Sequence, residues 1–539
     1  MNEHRTRQQS HRRPIPFHPV LFAVAPILFV YTFNATKTPI DPRELLVPIS
    51  LSVAMTAALW TCLWLLFRNA SLAASVVSFY LVLFFSYGHV ETSLRRGTTS
   101  HVWTVLLPFW LLLMAAGTWV AAQRSRSRAE RSQAGLTVLL NSIASAVLVV
   151  NLATGVQAFA YRPPRRDRVS APALTAKDAD HPDIYYVILD GYARSDVLRS
   201  IYHYDNSGFL DSLRRMGFYV AEKSRSNYGQ TVLSLASSLN LVHLDSIACA
   251  LGSESHDKRP LADAVTGSRL VAFLRQRGYA VMAFATGYGP TELRDAEFYR
   301  APPWAASEFR NVLLSTTAVP SLLEALGMRT LFDLHRERIL YALDHLVDAV
   351  HVNQPVFAFA HIVAPHPPFV LGTANERRAR NDVYTLLDGG GLHEMNQAQQ
   401  ADYVAGYREQ LASLNERVLS VVEKILVQSA AHPLIIIQAD HGPGSRLDWR
   451  TPERTDMVER SSILSTYYFP DQNYSRLYDS ITPVNTFRVV LSQYFDTTLT
   501  LLPDRSRFSS MSRPYHFYDV DRAESHRSTG RPAGPIGKP

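Results

Sequence analysis

Cysteine is almost missing from this chain, which has two in 539 residues. Cys62 falls inside a long apolar run and Cys249 in a stretch of ordinary globular composition, which excludes an intrachain disulfide as the stabilising device. The globular part must therefore be held by its own core, and several hundred residues suffice for that. Charge is sparse as well. Asp, Glu, Lys and Arg make up 19% of the residues, and the formal net charge of +7 is spread over a tail, loops and a linker. No dense basic face emerges, so no nucleic-acid partner is expected. No internal repeat is present.

Long apolar runs, by contrast, are plentiful in residues 1–155. Val20–Phe33, Leu45–Phe67, Ala70–Tyr87, Val102–Ala122 and Leu136–Ala153 read as five membrane spans. The first is short and holds Pro26, and a cleaved signal peptide is its rival reading. The lack of a small-residue cleavage site and the spans behind it argue against that reading. Arg5, Arg7, Arg12 and Arg13 precede the first span, and Arg124, Arg126, Arg128 and Arg131 separate the fourth from the fifth. With five spans both groups share one side, which the positive-inside rule makes cytoplasmic. The rest of the chain is then expected on the far side of the cytoplasmic (inner) membrane. Arg162, Arg165, Arg166 and Arg168 would lie there too, a violation that a long translocated domain tolerates. The expected organisation is a membrane domain over 1–155, a linker over 156–182, a globular domain over 183–521 and a disordered tail rich in Arg, Ser, Gly and Pro over 522–539.

Beyond the linker, strands and helices alternate. Asp183–Leu189, Ala280–Ala285, Val356–His361 and the run after Pro433 read as strands. Ser207–Met216, Thr231–Leu239, Ser268–Arg277 and Gln399–Gln428 read as helices. This order predicts a mostly parallel sheet covered by helices on both faces. The most informative stretch is PLIIIQADHG at Pro433–Gly442, where a buried-strand pattern breaks into Asp440, His441 and Gly442. Ligands of open α/β sheets collect at the carboxyl ends of strands. An adjacent carboxylate and imidazole there suit Zn²⁺ or Mn²⁺, although a lone Asp-His-Gly also reads as a capped turn. Asp190-Gly191 ends the first strand, on the same edge of a parallel sheet. Thr231 opens a helix after the loop Asn227–Gln230. A hydroxyl there is commonly an N-cap, yet the same helix end favours an alkoxide, which a metal can activate.

Asp190-Gly191, the Thr231 helix start, Pro365-His366-Pro367 and Asp440-His441-Gly442, in that order, resemble the alkaline phosphatase/sulfatase superfamily. Preceded by five spans, they resemble its membrane-anchored lipoteichoic acid synthase and phosphoethanolamine transferase branch. The resemblance implies an α-helical membrane domain followed by an α/β alkaline-phosphatase-like domain with a mostly parallel central sheet. It also implies one divalent metal ion, Zn or Mn, held by Asp190, Thr231, Asp440 and His441, with Thr231 as nucleophile and His366 beside the transferred group. The branch usually has Glu where this chain has Asp190. The Thr231-Val232-Leu233-Ser234-Leu235 helix start lacks the formylglycine signature of classical sulfatases. The helix before the late strand offers Glu409, Asn415 and Glu416 and no His before His432, so a second metal is not expected. His361 reads equally as structural or catalytic.

The expected activity is transfer of a phosphate-linked headgroup, phosphoglycerol or phosphoethanolamine, from a phospholipid donor to an envelope glycan or lipid through a phospho-threonine. The alternatives are a phosphodiesterase or phosphatase using the same site, and a non-catalytic envelope scaffold. Trp304, Arg310, Arg446, Arg454 and Arg460 are candidates to line an anionic pocket. Leu502-Pro503-Asp504-Arg505 is expected to close the sheet edge.

Overall fold

The computed structural model describes residues 14–95, 102–126, 130–160, 182–374, 384–389 and 395–521. The Arg5–Arg13 tail, Arg128, the Arg162–Arg168 cluster and the 522–539 tail lie outside the described residues, as does most of the 156–182 linker. The chain divides into two compact units. One contains the five N-terminal helices together with Phe309–Met328. The other contains Lys37–Pro39 and the remaining residues beyond the fifth helix.

The five helices of the first unit are α1 (His18–Ala35), α2 (Leu46–Phe67), α3 (Ala70–Arg95), α4 (Trp103–Arg126) and α5 (Glu130–Ala160). All five are long and apolar enough to cross a membrane. The third runs past Tyr87 to Arg95 because Glu91 and Arg95 pair one helical turn apart at 2.9 Å. α1 includes Pro26 and has no side-chain cap of its own. Asn141 of α5 supplies the missing acceptor to the backbone N–H groups of Phe17 and His18, at 3.2 and 3.0 Å. Asn151 of α5 donates to the Ala25 carbonyl at 2.9 Å. Such interhelical amides tie spans together where no water competes.

The second unit is built on one sheet. Its strands are β1 (Ile184–Leu189), β2 (Tyr219–Val220), β3 (Ala280–Phe284), β4 (Phe298–Arg300), β5 (Val356–Ile362), β6 (Leu434–Gln438) and β7 (Ser465–Tyr468), in the order β2-β7-β6-β1-β5-β3-β4. β1 pairs in parallel with β5 and β6, and β3 pairs in parallel with β4 and β5. β7 runs antiparallel to β6 and β2. β1 shows why its apolar run is unbroken. Tyr185, Val187 and Leu189 join the core on one face, whereas Ile184, Tyr186 and Ile188 join the core on the other. A strand covered on both sides needs no polar alternation. The helix Gln397–Gln428 covers the first face with Leu411, Leu414 and Val418. Thr231–Ser238 covers the second with Leu233 and Leu235.

Leu502–Arg505 does not close the sheet, whose edges are β2 and β4. Asp504 instead accepts hydrogen bonds from the Thr482 N–H, the Thr482 hydroxyl and the Asn485 amide at 3.1, 2.6 and 3.0 Å. It thereby fixes the start of the helix Pro483–Tyr494.

The helix Leu331–His345 begins with a capping box between Thr330 and Asp333 and buries His335 completely. Burial, with the nearby Arg338 guanidinium, lowers the His335 imidazole to about 3. A histidine kept neutral in the fold contributes its full stability above its unfolded value near 6.5, and that contribution is lost as pH falls toward 3. His335→Leu is therefore expected to flatten the acid side of the stability profile by about 1.4 kcal/mol per pH unit below pH 6. The check is the melting temperature of the full chain in detergent at pH 7.5 and 5.0. The variant should lose less than the parent, and an equal drop would contradict this role.

Candidate active site

The parallel register brings distant residues to one edge. Asp190 follows the last residue of β1, His361 lies on β5 opposite Ile188, and Asp440 stands two residues after the last of β6. The Asp190 N–H donates to the Ile362 carbonyl at 3.0 Å, which extends the ladder into the site. Gly191 then turns at φ +74°, a conformation that favours glycine. Its N–H donates to Asp440 Oδ1 at 3.2 Å, so one carboxylate is oriented by the turn that follows the other.

Three oxygen atoms surround His441 Nε2 beyond these strand ends. His441 Nε2 is 3.4 Å from Asp190 Oδ1, 3.3 Å from Asp440 Oδ2 and 3.0 Å from Thr231 Oγ1. Both of those carboxylate oxygens are buried and have no hydrogen-bond donor among the described residues. Such oxygens are costly to bury unless something positive lies between them. His441 Nδ1 lies 2.9 Å from the Gly442 carbonyl, and donation to it leaves the Nε2 lone pair facing the carboxylates. Burial, reinforced by the Arg460 guanidinium, lowers the His441 imidazole and keeps it neutral. Burial alone would raise the Asp190 carboxyl, but His366, His361 and His441 outweigh it and hold it well below the usual carboxylate range. Two carboxylate oxygens, a neutral imidazole and a hydroxyl form a donor set that fits a divalent cation.

Thr231 is not an N-cap. Gln230 occupies that position without a side-chain cap bond, and Thr231 is the first helical residue. Its hydroxyl bonds to His441 and not to its own helix. His366 lies beside the set, its ring centroid 6.2 Å from that of His441. Its N–H donates to the Asp190 carbonyl at 2.9 Å and its carbonyl accepts from Gln410 at 3.0 Å. The structure thus brings Asp190, Thr231, His366, Asp440 and His441 into one buried neighbourhood.

Gly442 has a steric reason. A Cβ there would stand 1.9 Å from the Glu459 carbonyl oxygen, because the 459–460 backbone crosses directly over it. That crossing delivers Arg460, which is 3% exposed and ties the loops together. It donates to the carbonyls of Gly229 and Gly442, each at 2.9 Å, pairs with Asp388 and stacks over Trp449 at 5.1 Å. Of the arginines considered for an anionic pocket, Arg460 is thus held by structural partners, with its guanidinium also 3.3 Å from His441 Nε2 at the site. Arg310 pairs with Glu44 at 2.9 Å and Arg446 with Asp456 at 3.3 Å.

Two residues carry more than their sequence pattern conveyed. His361 Nε2 is 3.2 Å from Asp190 Oδ2, and its Nδ1 is 2.9 Å from the Thr291 hydroxyl. Asp190, His361 and Asp440 offer ligand atoms that all lie within 4.8 Å of one another, so His361 also stands within reach of a cation held there. His361 fixes Asp190 so that its other oxygen faces His441. His361→Ala is expected to weaken metal binding about 10–100-fold, the usual cost of losing a partner that orients a ligand. Metal titration of the full chain in detergent checks this, and unchanged affinity would contradict it. Lys258, half-buried, donates to Gln230 Oε1 at 2.9 Å, one residue before Thr231. Burial lowers its ammonium to about 8, against a partial offset from Glu308.

Among solved structures the chain is similar to the C-terminal periplasmic domain of EcEptC from Escherichia coli in complex with Zn (12% identity, 67% of this chain and 100% of that chain, TM-score 0.42). It is also similar to the integral membrane protein lipooligosaccharide phosphoethanolamine transferase A from Neisseria meningitidis (11% identity, 88% and 94%, TM-score 0.38). A third is the phosphonate monoester hydrolase of Agrobacterium radiobacter (12% identity, 65% and 84%, TM-score 0.41). No family model and no curated protein matches the chain.

Proposed function

We propose that this chain is a membrane-anchored, metal-dependent transferase that moves a phosphate-linked headgroup from a phospholipid to an envelope glycan or lipid. The observation that carries the reading is the Thr231 hydroxyl, held at a helix start 3.0 Å from His441 Nε2, which itself stands 3.4 and 3.3 Å from two buried carboxylate oxygens that have no donor among the described residues. One divalent ion, Zn or Mn, bound by Asp190, Asp440, His441 and Thr231 would lower the pKa of the threonine hydroxyl. Thr231 Oγ, its proton released to water, then attacks the donor phosphorus and the bond from phosphorus to the diacylglycerol oxygen breaks. That oxygen leaves with a proton, for which His366 is the nearby acid. The acceptor hydroxyl next attacks the phospho-threonine, and Thr231 regains its proton as it departs. The free N–H groups of the Thr231 helix start favour negative charge at both stages.

Five helices long and apolar enough to cross a membrane support the reading, because an anchored enzyme would share its bilayer with lipid donors. The arginines before α1 and between α4 and α5 support a cytoplasmic side there by the positive-inside rule, and with it a catalytic unit on the periplasmic or extracellular face. The test is product analysis of the full chain in vesicles of phosphatidylethanolamine or phosphatidylglycerol, with and without a lipid acceptor. Diacylglycerol together with headgroup phosphate on the acceptor is the expected result. Free headgroup phosphate, unaffected by acceptor, would assign water as the acceptor and overturn the transferase reading.

A further inference from the structure

We propose that Phe309–Met328 is a membrane-interface hairpin, held to the ends of three spans and laid with its apolar face in the acyl-chain boundary of the bilayer. The chain leaves the catalytic unit at Glu308, returns to it at Arg329, and between those points groups with α1–α5. Two short helices, Glu308–Ser315 and Val319–Ala325, make up most of the segment.

Its inner face is anchored throughout. Phe309 meets Tyr31 edge-on at 5.9 Å, and with Leu313 it joins a core of Ile27, Leu28 and Ala35 from α1. Arg310 pairs with Glu44, just before α2, at 2.9 Å. The Ser321 hydroxyl donates to Glu91 of α3 at 2.8 Å, and Arg95 lies 3.9 Å from Glu324. The Gly88 N–H donates to the Thr316 carbonyl at 3.1 Å, and a Cβ on Gly88 would stand 1.9 Å from the Ser315 oxygen. Glycine on α3 is what admits the segment's backbone. Consecutive spans alternate in direction, so the end of α1, the start of α2 and the end of α3 share one side of the membrane. The segment is fixed at that boundary.

Its outer face is apolar. Arg310 and Glu324 are its charged residues, and both are drawn inward by the pairs above. Val312, Leu322, Leu326 and Met328 are 40, 47, 64 and 55% exposed. The same unit exposes Phe29, Phe33, Leu46 and Val47, the lipid-facing surface of α1 and α2 near the same boundary. An apolar face with no free charge, continuous with a lipid-facing surface, fits the headgroup–acyl boundary. The segment is thus a foothold by which the catalytic unit is held to the bilayer at a point separate from the α5 linker. This inference does not depend on which reaction the catalytic unit performs.

The test uses the full chain with Cys62→Ser and Cys249→Ser, and an environment-sensitive fluorophore on a single cysteine introduced as Leu322→Cys or Leu326→Cys. Asp211→Cys, on an exposed helix of the catalytic unit, is the aqueous reference. In phosphatidylcholine–phosphatidylglycerol vesicles, labels at 322 and 326 should emit blue-shifted light. They should also be quenched at least about twofold more than the reference by acyl-chain nitroxide lipids. Quenching equal to that at 211 would overturn the proposal. So would protection that appears only as protein density rises, which would assign the face to a second copy of the chain.

Discussion

Thr231→Ala should remove turnover by at least about 10³-fold, the scale on which loss of a nucleophile acts, while leaving the melting temperature of the chain nearly unchanged. The hydroxyl makes one bond, to His441 Nε2 at 3.0 Å, and the helix it opens is capped by neither Thr231 nor Gln230. Alanine keeps the Cβ, has the highest helix propensity and leaves no buried partner except an imidazole lone pair that already faces the metal-binding set. Stability and activity should therefore separate. Thr231→Ser should retain activity, because it keeps the oxygen at the helix start and loses only a methyl group. Steady-state diacylglycerol release from phospholipid vesicles reads both variants. Substantial activity in Thr231→Ala, or loss of fold in it, would contradict the assigned role.

Asp440→Asn should empty the metal site although it is isosteric. Asp440 Oδ1 accepts from the Gly191 N–H, so the amide oxygen must take that position. The NH₂ group then falls where Oδ2 stands, 3.3 Å from His441 Nε2. A pair of N–H protons replaces a lone pair where a cation would sit, and the set loses a negative charge. Partners that merely orient ligands cost about 10–100-fold when lost, so a direct ligand should exceed about 100-fold. The check is metal content by mass spectrometry after purification in detergent, together with the melting temperature. The parent should carry metal and gain stability from it, and the variant should show neither. Equal metal content in the two proteins would remove Asp440 from the set.

Legibility in the sequence followed length and covalent neighbourhood. β1, β5 and β6 were readable because each is an unbroken apolar run, and the carboxylates after β1 and β6 stood where the runs stop. The five spans were readable for the same reason. β2, β4 and β7 were not, since two to four residues leave no period to detect and only pairing with Tyr467, Met282 or Ile436 makes them strands. His361 sits inside an apolar strand, and nothing local marks it. Its importance comes from its position opposite Ile188, two residues before Asp190. Phe309–Met328 looked like part of the globular domain because its partners, Tyr31, Glu44, Gly88 and Glu91, lie more than two hundred residues earlier. The hydroxyl of Thr231 is ambiguous between cap and nucleophile in the sequence, and its partner among the described residues is a histidine three residues past β6.

The central claim is a covalent phospho-threonine, and intact mass of the full chain tests it most directly. The protein, loaded with Zn or Mn in detergent, is incubated separately with phosphatidylethanolamine and phosphatidylglycerol. The account predicts a mass increment on Thr231 equal to one phosphate-linked headgroup, absent from Thr231→Ala, with equimolar diacylglycerol. Diacylglycerol release with Thr231 unmodified, persisting in the alanine variant, would contradict it.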